Sequence, residues 1–209
     1  MVLLAMVDAD YRFSYVNIGS YGKQSDGGIF SACSLGKALG INALNLPQDS
    51  SIDGANALGP MPYVIVADEA FPLQRHVMRP YPGASATPEI DAYNYRHSQA
   101  RRVVENAFGI LAERWRVFHT KISVKPETVE KVVMATTILH NMLQRQGGGV
   151  AEPGEMAESA QQAASLLPIP RVGNRGTDEA LNIRANFARY FVENPLPWQE
   201  NYIRRGLRN

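Results

Sequence analysis

The sequence predicts an α/β domain, and three observations carry that assignment. Two short apolar runs, Leu3-Leu4-Ala5-Met6-Val7 and Tyr63-Val64-Ile65-Val66-Ala67, have no helical period and are each followed by an aspartate, the pattern of buried strands. Two longer segments, residues 93–116 and 126–146, repeat apolar side chains at i, i+3 and i+4, the stripe of an amphipathic helix. Finally, 45% hydrophobic and 20% charged residues over 209 positions is a globular composition, which excludes disorder throughout. No run approaches the roughly 18 apolar residues of a membrane-spanning helix. The apolar start reaches Asp8 without a basic region or cleavage signal, which argues against a membrane or secretory protein. The single cysteine, Cys33, has no internal disulfide partner, and no Cys/His cluster shows zinc-ligand spacing, so a reducing compartment fits.

In chain order, the first strand closes at Asp8, and Asp8-Ala9-Asp10 supplies turn chemistry. Residues 11–18 alternate aromatic or β-branched with polar side chains, which predicts a second strand hairpinned onto the first and ended by Gly19. Ser25 or Asp26 can cap a helix through Ile29, Phe30, Cys33, Leu35 and Leu39, stopped by Gly40. Residues 45–62 read as loop, then comes the strand 63–67. His76-Val77-Met78 predicts a short strand before Pro80. The helix at 93–116 carries Val103, Val104, Ala107, Phe108, Leu111 and Trp115 on its apolar stripe. The next begins at Pro126, favourable at a first helical position, and runs through Val129, Val133, Thr136, Leu139 and Leu143 to three glycines. Residues 147–176 have little periodicity and predict a flexible linker. Thr177 with Asp178 and Glu179 starts a final helix that lasts to Asn194-Pro195. The expected organisation is a domain over 1–146, a linker over 147–176, and a C-terminal helix and tail over 177–209.

Charge is uneven although the net is only +1. Residues 1–95 carry 5 Lys/Arg against 9 Asp/Glu, and residues 96–145 carry 9 against 4. An acidic segment followed by a basic one suits divalent cations held beside a polyanion, and equally suits solvated surfaces. Asp8 and Asp68 follow apolar strands and Glu105 rises from a helix, a placement from which three carboxylates can converge at a sheet edge. Hard cations such as Mg²⁺ use oxygen ligands, and a metal pair about 3.5–4 Å apart stabilises the attacking and leaving oxygens of a phosphodiester. Each acid also has a plainer reading. Asp8 serves as a hairpin turn residue, Asp68 as a turn cap, and Glu105 as an ion-pair partner of Arg101 or Arg102; Asp10, two residues on, is the alternative to Asp8 as the first acid. His76, His97, His119 and His140 lack ligand spacing, and His140 on an apolar helix reads as a core residue.

The combination of motifs resembles one family. Asp8-Ala9-Asp10-Tyr11-Arg12-Phe13, Ser25-Asp26-Gly27-Gly28-Ile29-Phe30, Ala67-Asp68-Glu69-Ala70-Phe71-Pro72, Met78-Arg79-Pro80-Tyr81, Tyr93-Asn94-Tyr95-Arg96, the block from Ala100 to Leu111, Arg114-Trp115-Arg116 and Leu139-His140-Asn141-Met142-Leu143 are together similar to the DDE nuclease domain of PIF/Harbinger transposases and their domesticated relatives. The resemblance covers residues 5–145. It implies a ribonuclease-H-like mixed sheet flanked by helices, with Asp8, Asp68 and Glu105 as catalytic metal-binding acids and Asp26 as an accessory acid. Two departures, Ser25 where the family has His and Ala67 where Gly is common, remove no carboxylate.

What the resemblance implies in function is a Mg²⁺- or Mn²⁺-dependent DNA endonuclease, with strand transfer at the same ions, or a catalytically inactive descendant that binds DNA or protein. Arg96, Arg101, Arg102, Arg114, Arg116 and Lys121 are the expected phosphate contacts, and the nucleus (or cytoplasm) is the expected location. Full-length relatives carry a helical region ahead of the nuclease domain. This chain begins at its first strand, which leaves a fragment, a degenerate copy or a subunit that borrows DNA binding from a partner protein.

Overall fold

The computed structural model describes residues 1–20, 26–83, 87–147, 176–197 and 199; Ser25, the Asp26 side chain, and almost all of the predicted linker and tail lie outside them. Two compact units divide the chain: Met1–Leu35 with Arg102–Pro170, and Gly36–Arg101 with Arg171–Asn209.

In the first unit β1 (Val2–Val7) and β2 (Phe13–Ser20) form the expected antiparallel hairpin, paired from Val2↔Ser20 to Val7↔Phe13. β2 continues through Gly19 instead of stopping there. At φ +109° Gly19 adopts a backbone that a side chain would resist, and a Cβ would lie 2.8 Å from Glu130 Oε1. The predicted helix over 26–39 is two helices, α1 (Asp26–Ala32) and α2 (Ser34–Gly40). The break falls at Cys33, whose amide donates to both the Ile29 and Phe30 carbonyls while its thiol bonds to the Phe30 carbonyl. Such a shared amide marks the tightening of a helix end.

The helix predicted from 93 is α3 (Pro88–Arg114), five residues longer at its start. Thr87 Oγ1 accepts from the Ile90 amide, so a Thr cap followed by proline opens it. Phe13, Ala107 and Leu111 are buried together, with Ala5, Val7, Tyr11, Val16, Phe108, Trp115 and Phe118 packed around them. Trp115 and Phe118 therefore serve the core. α4 (Pro126–Arg145) has its expected bounds and buries Val133, Thr136, Thr137 and His140. Leu139 and Leu143 depart from the predicted buried stripe: they are 45% and 39% exposed beside Met134, Ile138 and Met142, because the polar Thr136, Thr137 and His140 take the inner face.

In the second unit β3 (Ile65–Val66) pairs parallel with β4 (Val77–Met78). Both are shorter than predicted, as Pro62 and Pro80 nearby have no N–H to extend a ladder. The α/β class stands, with the described strands in two two-stranded sheets. α5 (Asp178–Glu193) starts where the sequence places it, Thr177 Oγ1 accepting from the Ala180 amide. Its Ala180 and Ile183 are buried against Met61, Leu73 and Met78, with Ile52, Val64, Leu181 and Phe187 around them. Arg75 joins Asp49 to Glu179 of α5. Among the described residues no helix is long and apolar enough to cross a membrane.

Candidate metal-binding acids and basic residues

Asp8 sits where β1 turns. Its Oδ1 accepts the amides of Asp10 and Arg12, each at 3.0 Å, its own amide donates to the Arg12 carbonyl, and Oδ2 takes Arg12 Nε at 2.9 Å. The same guanidinium reaches Asp10 Oδ2 at 2.6 Å. Partial burial by itself raises the pKa of Asp8. The Arg12 amide, the Arg12 guanidinium and the Asp10 amide together outweigh that and hold the carboxyl below its ordinary value. The hairpin role and an ionised carboxylate thus coexist in one side chain. Tyr11 completes the turn at φ 61°, an uncommon conformation for a side-chain-bearing residue.

Asp68 follows β3 in the second unit. Its Oδ1 accepts the Glu69 amide and its Oδ2 lies 3.2 Å from Arg101 Nη2. Glu105 is exposed on α3, in the part of that helix assigned to the first unit with Asp8. Among the described residues, no three His, Cys, Asp or Glu side chains are grouped so as to hold a metal ion. The donor chemistry nonetheless fits a hard divalent cation, since the candidates are all carboxylates. At both aspartates Oδ2 already holds a cation, the guanidinium of Arg12 or of Arg101.

The expected phosphate contacts divide. Arg96 donates through Nε to Gln199 Oε1 at 2.7 Å and through Nη2 to the Asn194 carbonyl, and stacks 4.5 Å over Phe191. Its guanidinium is thus engaged by Phe191, Asn194 and Gln199. Arg101 is paired with Asp68, and Arg114 donates to Gln144 Oε1 at 3.0 Å. Arg102, Arg116 and Lys121 are exposed in the first unit.

His140, read from the sequence as a core residue, is fully buried. Arg12, Asn141 and Gln144 escaped the sequence reading. Arg12 had a local signal, a cation four residues after Asp8 in a hairpin turn. Asn141 and Gln144 of α4 had a weaker one, polar side chains interrupting an apolar stripe. Residues 1–141 match the family described as DDE superfamily endonuclease. The chain belongs to that DDE endonuclease family. A relative described as Protein ALP1-like, from Arabidopsis thaliana, is 27% identical over 150 residues, covering 68% of this chain and 35% of its own length. This DDE chain therefore spans about a third of the curated relative it matches. No solved structure matches it. The resemblance drawn from the motifs between Asp8 and Leu143 stands: this is a DDE transposase-type nuclease domain.

Proposed function

We propose that this DDE domain is a metal-dependent DNA endonuclease of ribonuclease-H-like fold, acting in the nucleus, with Asp8, Asp68 and Glu105 as its catalytic acids and Asp26 as an accessory. The observation that carries the reading is the family match over residues 1–141, which contains all four acids. Bound Mg²⁺ or Mn²⁺ ions would ease deprotonation of the attacking water and neutralise charge on the phosphodiester. Asp8 offers a carboxylate held ionised by its turn, and exchange of Arg12 for a metal ion at Oδ2 leaves its two amide bonds at Oδ1 in place. Arg102, Arg116 and Lys121 supply sequence-independent phosphate contacts, while Arg101 leaves Asp68 and joins them. Water attacks phosphorus, the bond to the 3′ oxygen breaks, and that oxygen takes a proton. The products are a 3′ hydroxyl and a 5′ phosphate. In a transposition-competent assembly, completed by a DNA-binding partner protein, the 3′ hydroxyl then attacks a phosphorus of target DNA, losing its proton as the new phosphodiester forms and the target strand's own 3′ oxygen leaves and is protonated.

The ion pairs on Asp8 and Asp68 favour a second reading, a catalytically inactive binding module whose acids are neutralised by arginine. One experiment separates them. Purified protein is incubated with supercoiled or terminal-repeat DNA and Mn²⁺, against Glu105→Ala. Nicking lost in the variant is the expected result; folded protein that retains DNA without cleaving it makes the chain a binding module. The salt dependence of that retention should fall by about 0.9 in log–log slope for each phosphate contact removed at Arg102, Arg116 or Lys121.

A further inference from the structure

We propose that the C-terminal half of α4 is the positioning device for Asp8: His140, Asn141 and Gln144 hold the turn that carries this acid through hydrogen bonds to its backbone. The inference rests on the reading of Asp8 as a metal ligand. Asn141 makes two bonds to one residue, its Oδ1 accepting the Phe13 amide at 2.8 Å and its Nδ2 donating to the Phe13 carbonyl at 2.9 Å. An amide side chain with that pair of contacts substitutes for the backbone of a neighbouring strand, and it covers a point on β2 where the edge would otherwise present a free donor and acceptor.

One residue earlier, His140 is fully buried, and its Nε2 lies 2.7 Å from the Tyr11 carbonyl. A carbonyl only accepts, so the ring carries its proton on Nε2. Tyr11 is the turn residue at φ 61°, a conformation that persists where surroundings hold it. One helical turn later, Gln144 Nε2 reaches the Asp10 carbonyl at 3.4 Å, and its Oε1 is oriented by Arg114 Nη2. The Phe13 ring meets His140 edge-on, with centroids 5.1 Å apart.

Three side chains of one helix therefore bind the backbone at positions 10, 11 and 13. From the other side, Asp8 Oδ1 binds the amides of residues 10 and 12. The carboxylate and the helix grip the same short turn, so the direction of the Asp8 side chain depends on α4. None of the three needs to touch a metal ion or DNA; each acts through the turn. Outer contacts of this kind set the geometry of a ligand, and their loss typically costs about 10- to 100-fold in metal affinity.

The test measures Mn²⁺ affinity of the full chain from the electron paramagnetic resonance signal of free Mn²⁺, with far-UV circular dichroism and a cooperative melt to establish folding. Asp8→Asn sets the loss expected when the ligand itself is removed. Asn141→Leu and His140→Leu should each weaken binding about tenfold in folded protein, whereas His140→Gln, whose amide can donate to the Tyr11 carbonyl, should stay within about twofold of wild type. A purely structural histidine would give no rescue of affinity separate from stability. Folded Asn141→Leu and His140→Leu proteins that bind Mn²⁺ as wild type does, while Asp8→Asn does not, overturn the positioning role and leave Asp8 as a ligand. Wild type without Mn²⁺ affinity, or Asp8→Asn without a defect, removes the ligand reading and the positioning role with it. If the leucine variants do not fold, Gln144→Ala carries the test: about threefold weaker binding is expected from losing this longer bond, and unchanged affinity overturns the proposal.

Discussion

Mild acid should destabilise this protein in the range where histidines titrate, before its carboxylates do. His140 is wholly buried, and its Nδ1 has no hydrogen-bond partner among the described residues. Burial pulls its pKa below 6.5; the bond to the Tyr11 carbonyl opposes that shift, and Arg114 adds to it. His97, 5% exposed in the second unit with Nε2 at 3.1 Å from the Met78 carbonyl, is shifted the same way. Burial dominates there too, the Met78 carbonyl and Asp68 opposing it and Arg101 and Arg184 reinforcing it. Since both folded pKa values lie below the unfolded one, the unfolded chain binds the protons first. The contribution is complete above about pH 6.5 and is lost as pH falls through the folded values. Within that window each histidine removes at most about 1.4 kcal/mol of stability per pH unit, or about 2.8 for the pair. Set against about 5–15 kcal/mol for a typical domain, that is a large share. Urea unfolding between about pH 7.5 and 5 reads the slope, and Gln at either position, which cannot titrate, should remove about half of it. A flat urea midpoint in wild type, or a slope that survives both Gln variants, refutes the reasoning. The lowered carboxyl of Asp8 acts only at more acidic pH.

Two further outcomes follow from backbone geometry. Gly19→Ala should cost about 1–3 kcal/mol, because φ +109° strains any side-chain-bearing residue. Adding Glu130→Ala should recover little of it in thermal unfolding, since the atom that a Cβ meets is the movable end of the Glu130 side chain. Thr177→Ala should cost about 1 kcal/mol by removing the acceptor for the Ala180 amide, which lowers Tm by about 2–4 °C for a protein of this size. Thr177→Ser should keep the wild-type melting curve.

Local signals made part of the fold legible. Asp8-Ala9-Asp10 between two strand-like runs predicts the hairpin, Pro126 and the glycines from 147 bound α4, and Thr177-Asp178-Glu179 opens α5, because turn and cap chemistry is decided within a few residues. Tertiary contacts decided the rest. Nothing near Cys33 announces that its amide will be shared between two carbonyls. The fate of the arginines was also hidden: Arg96 and Arg101 are alike in sequence, yet one is claimed by residues about a hundred positions away and the other by Asp68. Asp8 and Asp68 were legible as carboxylates after strands, and Arg12 lies only four residues from Asp8, but the pairing of Asp68 with Arg101 is a tertiary contact that no local pattern announces.

The packing of α5 bears on how pieces of this protein can be produced. A gene fragment trimmed where the family likeness stops, at residue 141, would discard Ala180 and Ile183 and turn Met61, Leu73 and Met78 toward water. It would also take Asn194, Gln199 and Phe191 away from Arg96. Homology limits and folding limits diverge here, and a stable recombinant domain must be carried through at least Gln199.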